Sequence, residues 1–172
     1  MHVFIKNGLE LLSKEEVHVF EVGFGTGLNA LLTAMSGKKV SYTTIEAFPL
    51  GEEIYSQLNY EPHDILLSLH RNSELQIANF KFRKTHITLQ SINLDPVYDI
   101  VYYDAFAPSK QPAMWEFPMI EKVCNALTPG GLFVTYCAKG QLKRDLKTLG
   151  MEVETLAGPP GKREMLRAIK RV

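Results

Sequence analysis

The stretch that decides the fold spans residues 21 to 27 and reads Glu21-Val22-Gly23-Phe24-Gly25-Thr26-Gly27. An apolar run from Val17 to Val22 leads into it and a helix-like run from Leu28 to Met35 follows, which indicates a strand, a glycine turn and a helix. Alternate glycines permit positive φ angles and close approach of a ligand, and the following helix directs free N–H groups at a polar group. The pattern predicts a loop for a nucleotide-type cofactor, with a ligand-free βα turn as the alternative.

The spacing of the glycines discriminates between cofactors. The dinucleotide fingerprint G-x-G-x-x-G is broken because Leu28 stands at the position of the third glycine, which disfavours NAD. An acidic residue followed by x-G-x-G-x-G, here starting at Glu21, is the pattern of S-adenosylmethionine (AdoMet) methyltransferases. About twenty residues after Gly23, a predicted strand ends in Glu46, which we expect to accept hydrogen bonds from both ribose hydroxyls. A solvated glutamate at a strand end is the alternative.

Length and composition favour a single globular domain over residues 1–172. Of the 172 residues, 45% are hydrophobic and 22% charged, and no apolar run approaches membrane-spanning length. No signal peptide pattern is visible at the start. Cys124 and Cys137 lack the spacing of metal ligands, so we predict no metal site, reduced thiols and a cytoplasmic location without membrane contact.

The charge is balanced overall but not along the chain. A net charge of zero argues weakly against a broad nucleic-acid surface. Residues 1–138 nevertheless carry 10 Lys+Arg against 15 Asp+Glu, whereas residues 139–172 carry 9 against 4. The basic end is a candidate for contact with phosphates, and a solvated helix face explains it almost as well.

Short β-type runs alternate with helical runs. The predicted strands are 18–22, 40–45, 85–89, 98–103, 131–136, 151–156 and 164–170, and the predicted helices are 28–36, 49–58, 63–70, 118–127 and 140–149. Alternation of this kind predicts an α/β fold with a mostly parallel, seven-stranded sheet and helices on both faces. The link 157–163 is too short for a crossover helix, so the last two strands should form an antiparallel hairpin. This is the Rossmann-like arrangement of class I methyltransferases, with strand order 3-2-1-4-5-7-6.

The apolar strand 98–103 delivers Asp104 at its carboxyl end. Because carboxyl ends beside the first strand form the ligand crevice, Asp104 should face the reactive end of the cofactor. Phe106 and Pro108 would then shape a wall for a flat substrate, and Trp115 is either a stacking platform or a plug over the core. The alternative is that Asp104 only caps the following loop.

A second unusual stretch, Gly158-Pro159-Pro160-Gly161, is followed by two basic residues. Its prolines and glycines should stiffen a loop that presents Lys162 and Arg163 at the rim of the sheet. Such a loop is suited to contact a phosphate or a carboxylate. A plain hairpin turn with solvated charges is the alternative.

These motifs together carry a family resemblance. The segments concerned are Gly27-Leu28-Asn29, Asp104-Ala105-Phe106-Ala107-Pro108 with Pro112, Met114 and Trp115 behind it, Pro129-Gly130-Gly131, Thr135-Tyr136 and Gly161-Lys162-Arg163-Glu164-Met165-Leu166. Over roughly residues 2–170 the chain closely resembles the MnmC-type methyltransferases, which finish 5-methylaminomethyl-2-thiouridine at the tRNA wobble position. The resemblance implies methyl transfer from AdoMet to the exocyclic amine of 5-aminomethyl-2-thiouridine in tRNA.

The resemblance and the glycine loop together assign the site residues. Cofactor contacts are expected from Glu21, Gly23, Phe24, Gly25, Thr26, Gly27, Asn29, Glu46, Ser91 and Asp104. Asp104 and Phe106 are the catalytic candidates, since a carboxylate can hold the amine by a charge-assisted hydrogen bond and an aromatic ring can stack on the base. Substrate contacts are expected from Pro108, Trp115, Lys162 and Arg163.

The chain departs from the family pattern at three places, and two rival functions stay open. The family's usual N-terminal segment before residues 2–5 is missing, its Gly-Asp after the third strand reads Gln90-Ser91, and the FAD-dependent oxidase half is absent. A stand-alone methyltransferase with a separately encoded oxidase partner is therefore expected. One rival is an AdoMet enzyme acting on a small amine, or a spermidine synthase-like aminopropyltransferase. The other is a non-catalytic module that keeps the AdoMet fold.

Overall fold

The computed structural model describes residues 2–171, and within them eight strands form one sheet. The strands are β1 Glu16–Val22, β2 Lys39–Ile45, β3 Glu74–Ile77, β4 Phe80–Thr85, β5 Tyr98–Tyr103, β6 Leu127–Thr135, β7 Met151–Ala157 and β8 Glu164–Lys170. Their order is β3-β4-β2-β1-β5-β6-β8-β7. The five strands from β4 to β6 run parallel, while β3 and β8 pair antiparallel with their neighbours.

Helices cover both faces of the sheet. They are α1 Leu28–Ala34, α2 Glu52–Tyr55, α3 His63–Arg71, α4 Phe117–Asn125 and α5 Gly140–Thr148, with a π-helical turn at His2–Lys6 and 3-10 turns at Leu9–Leu11 and Pro112–Trp115. Of the helices within residues 2–171, none combines the length and the apolar content needed to cross a membrane.

Successive residues of the central strands serve two different cores. In β5, Tyr102 packs in the cluster beneath α1 and α3, whereas Tyr103 packs in the cluster beneath α4 and α5. Both rings are completely buried, and in β1 the completely buried Val19 and Phe20 likewise belong one to each cluster. Because strands covered on both faces read as continuous apolar runs, their positions in the sequence were easy to predict.

The predicted fold class is confirmed, and the seven predicted strands take the expected order once β4 is placed third. The third parallel strand was wrong in position, however, since it covers Phe80–Thr85 and not residues 85–89. In β4, buried Phe80 and Phe82 alternate with exposed Lys81 and Arg83, so the segment reads as polar. The apolar residues after it lie in a loop instead.

The eighth strand, β3, was missed altogether. It is an edge strand of four residues that pairs antiparallel with β4. Edge strands carry polar side chains, and an exposed ion pair between Glu74 and Arg83 links the two strands here. The turn between them holds Ala78 at a φ of 48°, a conformation for which the sequence offers no glycine as a signal.

Candidate active site

Each glycine of the 23–27 loop has its own structural reason. All three have positive φ angles, of 88° at Gly23, 52° at Gly25 and 74° at Gly27. A Cβ atom on Gly23 would lie 3.1 Å from the carbonyl oxygen of Asp104, and one on Gly27 would lie 2.8 Å from the ring of Phe24. A Cβ on Gly25 would meet nothing within 4 Å. Gly25 therefore exposes its backbone to open space, which is what close approach of a ligand requires.

That open space is a cavity of about 620 Å³ at the carboxyl ends of β1, β2, β4 and β5. Its lining includes the glycine loop, Glu46 and Asp104 together with the apolar side chains of Ile87, Leu89 and Met114. Its volume lies in the range of small-molecule and cofactor pockets, which are mostly apolar with a few polar groups. The cavity, the bare Gly25 backbone and the strand-end acids fit a nucleoside-containing cofactor.

Glu46 fixes the glycine loop from the end of β2. Its Oε2 atom accepts a hydrogen bond of 2.9 Å from the amide of Gly25, and its Oε1 atom accepts one of 2.9 Å from the amide of Phe48. Each carboxylate oxygen has further lone pairs, so both still have the capacity to accept a hydroxyl of a bound ribose. Glu46 thus orients the main chain around the cavity in addition to lining it.

Asn29, in the first turn of α1, links two carboxyl groups. Its Nδ2 atom donates to Oε1 of Glu21 over 3.1 Å and to Oδ2 of Asp104 over 2.9 Å. The other Glu21 oxygen accepts a hydrogen bond of 2.8 Å from the hydroxyl of Thr44. The side-chain amide of Asn29 therefore positions the carboxyl group of Asp104, while Glu21 is completely buried.

The two carboxyl groups differ in their ionisation. Burial raises the pKa of Glu21 to about 8, and the charge of Asp104 adds to the shift against the hydrogen bonds from Thr44 and Asn29. Burial also raises the pKa of Asp104, to about 6. The hydrogen bond from Asn29 and the charge of Lys162 lower this pKa and so limit the rise. Near neutral pH the site therefore holds a protonated Glu21 beneath an ionised Asp104.

Two aromatic side chains from outside the 104–108 loop hold this loop in place. The hydroxyl of Tyr136 donates to the carbonyl of Ala105 over 2.6 Å, and the indole N–H of Trp115 donates to the carbonyl of Phe106 over 2.7 Å. Trp115 also packs edge-on against Tyr103 of the core, so it braces the loop as well as covering the core. Phe106 itself is 75% exposed at the mouth of the cavity.

The structure brings most of the predicted site residues together. Those that line the cavity are Gly23, Phe24, Gly25, Thr26, Asn29, Glu46, Asp104 and Phe106. Glu21 lies buried beneath them, and Gly27 is the N-cap of α1. In the 88–91 loop, Gln90 faces the cavity, whereas the hydroxyl of Ser91 pairs with Thr88.

The remaining candidates lie farther out. Pro108 and Trp115 border a second cavity of about 200 Å³, next to Lys139 at the start of α5. Arg163 is exposed, and the ammonium of Lys162 lies over the ring of Tyr136. Tyr136 lines the main cavity but was not among the predicted site residues. Its place directly after a parallel strand was the available signal, since ligands bind at such strand ends.

The doubly wound sheet, the glycine loop after β1 and the acid at the end of β2 define a class I AdoMet-dependent methyltransferase. The chain belongs to the family of S-adenosyl-L-methionine-dependent methyltransferases, whose family model matches residues 52–171. The expected enzyme class and cofactor are thereby confirmed.

Named relatives are similar to almost the whole chain. It is 32% identical over 203 residues to the tRNA 5-methylaminomethyl-2-thiouridine biosynthesis bifunctional protein MnmC of Pseudoalteromonas atlantica, covering 98% of this chain and 29% of that protein. It is 33% identical over 175 residues to the protein of the same name from Campylobacter hominis, covering 92% and 26%. This confirms the resemblance to MnmC-type methyltransferases. The chain spans less than a third of the length of these relatives.

Solved structures share the fold. MNMC2 from Aquifex aeolicus superposes with a TM-score of 0.74 at 23% identity, over 90% of this chain and 53% of that one. A methyltransferase from Pyrococcus furiosus superposes with a TM-score of 0.62 at 16% identity, over 95% and 80%.

Proposed function

We propose that the protein transfers a methyl group from AdoMet to the exocyclic amine of 5-aminomethyl-2-thiouridine at the tRNA wobble position. The observation that carries the proposal is the Asp104 carboxylate, which lies in the cavity wall on a braced loop and is positioned by Asn29. The names of the MnmC relatives, at 32% and 33% identity, support tRNA as the substrate.

The cofactor's part in the reaction is simple. AdoMet supplies a methyl group on a sulfonium, so an amine lone pair can form the new N–C bond while the S–C bond breaks toward sulfur. The backbone of Gly23 and Gly25 and the carboxylate of Glu46 would hold the cofactor, and Leu89 and Gln90 also line its cavity. Such catalysis depends mainly on holding the two reactants in line.

The amine has to arrive at Asp104 and lose a proton. Primary alkylamines are mostly protonated at neutral pH, as the reference pKa of lysine indicates. With a pKa raised by burial to about 6, Asp104 is ionised there and suited to bind the ammonium by a charge-assisted hydrogen bond. Asp104 can also accept the proton, and exposed Phe106 would stack on the base.

The expected partners follow from this proposal. Hypomodified tRNA is the substrate, and an FAD-dependent oxidase is the expected partner activity that supplies the aminomethyl group. The relatives are called bifunctional, which is consistent with two activities acting in sequence. A role in tRNA modification also agrees with the cytoplasmic location expected from the sequence.

The first rival is methyl transfer to a small amine or an aminopropyl transfer. The Asp104 carboxylate in the cavity would suit any cationic amine, and zero net charge favours a small substrate. The second rival, a non-catalytic module, predicts a protein that gives no heat when titrated with AdoMet.

The test is a transfer assay with methyl-labelled AdoMet. Wild type is incubated with tRNA from a strain that lacks this activity, and in parallel with putrescine and spermidine. We expect label in the tRNA fraction alone, and Asp104→Asn should reduce the rate by roughly a hundredfold or more. Asn keeps the acceptor for the Asn29 amide but loses the charge and the basicity. Label in the polyamine fraction and none in tRNA would establish methyl transfer to a small amine, whereas aminopropyl transfer would leave the label on methylthioadenosine.

A further inference from the structure

The loop between β7 and β8 is a closed turn that fixes the start of the Lys162 side chain. The amide of Lys162 donates to the carbonyl of Pro159 over 2.9 Å, and the amide of Gly158 donates to the carbonyl of Arg163 over 3.1 Å. A Cβ on Gly158 would lie 2.5 Å from the carbonyl oxygen of Lys162, so the tight turn requires glycine there. Gly161 adopts a φ of 86°.

From this turn, Lys162 reaches back to the active-site cavity. Its Nζ atom lies 3.5 Å from the centroid of the Tyr136 ring. Tyr136 lines the cavity alongside Asp104 and Phe106, and the charge of Lys162 lowers the pKa of the Asp104 carboxyl against the effect of burial. The ammonium of Lys162 therefore lies close enough to act electrostatically on Asp104, the ionised carboxylate assigned to the substrate amine.

A hydrogen bond holds the Tyr136 ring in place. Its hydroxyl donates to the carbonyl of Ala105, the residue next to Asp104. The ring face and the carboxylate are thus fixed relative to each other by a short hydrogen bond. A tyrosine face and a carboxylate side by side are the two features that bind a primary ammonium, the first through cation–π attraction and the second through charge.

Lysine and the proposed substrate end in the same chemical group, a primary ammonium on a methylene. We propose that the Tyr136 face beside Asp104 is the binding site for the substrate's ammonium and that Lys162 occupies it as an internal substitute until the substrate displaces it. This ammonium site rests on the proposed function and adds two residues to it. The stem of Lys162 is exposed, so the side chain can leave the ring without breaking buried contacts.

The neighbouring Arg163 provides the matched control. It lies in the same basic loop and is exposed, and the structure gives it no contact with the ring of Tyr136. Both residues can contribute to general attraction of the RNA backbone. The ammonium site predicts that Lys162 alone affects how well the protein distinguishes an aminomethylated wobble base from an unmodified one.

The test compares affinities for two tRNAs in the absence of AdoMet. One carries the aminomethyl group at the wobble uridine and the other has an unmodified uridine there, and binding is followed by fluorescence anisotropy at fixed salt. The ratio of the two dissociation constants cancels contacts to phosphates, which both tRNAs share. Wild type, Lys162→Met and Arg163→Met are compared, since methionine keeps an unbranched stem without charge.

We expect Lys162→Met to raise the preference for aminomethylated tRNA roughly two- to fivefold, because the competing cation is gone. Arg163→Met should weaken both tRNAs equally and leave the ratio unchanged. Tyr136→Phe keeps the ring face but loses the hydrogen bond to Ala105 that fixes it beside Asp104, so the preference should fall only in part. An unchanged or reduced ratio in Lys162→Met would overturn the ammonium site. If wild type then still methylates the tRNA, the proposed function survives, whereas absence of methylation by wild type would refute that function.

Discussion

The two walls of the active-site cavity are built on different principles. The cofactor wall, formed by Gly23–Thr26 and Glu46, consists of main chain held by positive φ angles and by backbone amides on a carboxylate. The acceptor wall, formed by the 104–108 loop and Tyr136, depends on the side chains of Tyr136 and Trp115, which donate hydrogen bonds to carbonyls of the loop. Tyr136 and Ala105 are 31 positions apart. The cofactor wall therefore depends on the main-chain conformation of the glycine loop, whereas the acceptor wall depends on particular side chains.

This difference explains how each wall can change. The cofactor is bound by main chain in a special conformation, and few substitutions are compatible with that conformation. The acceptor is bound by a loop that side chains hold in place, and a different acceptor would need only different side chains at the same strand ends. If the comparison holds, substitutions in one wall should affect cofactor affinity and substitutions in the other should affect acceptor recognition.

The largest effect should come from Gly25→Val in the cofactor wall. A side chain there would project into the cavity, and its φ of 52° is strained for valine, so AdoMet affinity should fall by roughly a hundredfold or more. Calorimetric titration measures the loss. Gly37→Val is the matched control, since Gly37 also has a positive φ and open space but does not line the cavity. Equal AdoMet affinity of the two variants would remove the glycine loop from the site.

Glu21→Gln should stabilise the protein at alkaline pH. The folded-state pKa of about 8 lies above the ordinary value, so between about pH 4.5 and pH 8 the folded protein binds a proton that the unfolded chain has lost. Stability therefore falls as pH rises through this window. Glutamine mimics the protonated acid and should gain about 4 kcal/mol at pH 8, and almost none at pH 4. Urea unfolding at both pH values checks this, and a pH-independent difference would contradict a protonated Glu21.

Lys122→Met should weaken AdoMet about tenfold without changing the chemistry. The ammonium donates to the carbonyls of Leu89, Gln90 and Ile92, which holds the loop that places Leu89 and Gln90 in the cavity lining, and charged hydrogen bonds contribute about 1.5 kcal/mol or more. Lys170→Met is the control, because its ammonium likewise donates to three carbonyls, but beside α4 and away from the cavity. If both variants bind AdoMet equally well, Lys122 has only a general structural role.

The smallest effect is expected for Arg163→Ala at the rim of the acceptor wall. Loss of one phosphate contact should reduce the log–log salt slope of tRNA binding by roughly 0.7 to 0.9. AdoMet affinity should not change, because Arg163 lies outside the cavity. Anisotropy titrations between low and moderate salt measure the slope. A slope identical to that of wild type would show that Arg163 does not touch the RNA backbone.

The sequence predicted the cofactor wall far better than the acceptor wall, because the glycine loop follows a recognisable sequence pattern and the side-chain braces do not. The glycines occur at alternate positions and the acid follows at the end of the next strand, so Gly25 and Glu46 could be predicted from the chain alone. The brace from Tyr136 depends on how β5 and β6 pair in the sheet, which no local pattern encodes. The third parallel strand was misplaced because β4 is half polar, and Lys84 within it is buried with its ammonium on the carbonyls of Leu69 and His70.

The most direct test of the central claim is the chemical identity of the methylated nucleoside. Wild-type protein is incubated with methyl-labelled AdoMet and hypomodified tRNA, the tRNA is digested, and the nucleosides are separated and identified by mass spectrometry. The account predicts that the label lies on the side-chain nitrogen of the wobble nucleoside, as 5-methylaminomethyl-2-thiouridine. Label on a ring position, on another nucleoside or on the ribose would contradict the assignment of Asp104 and Tyr136 to a primary amine.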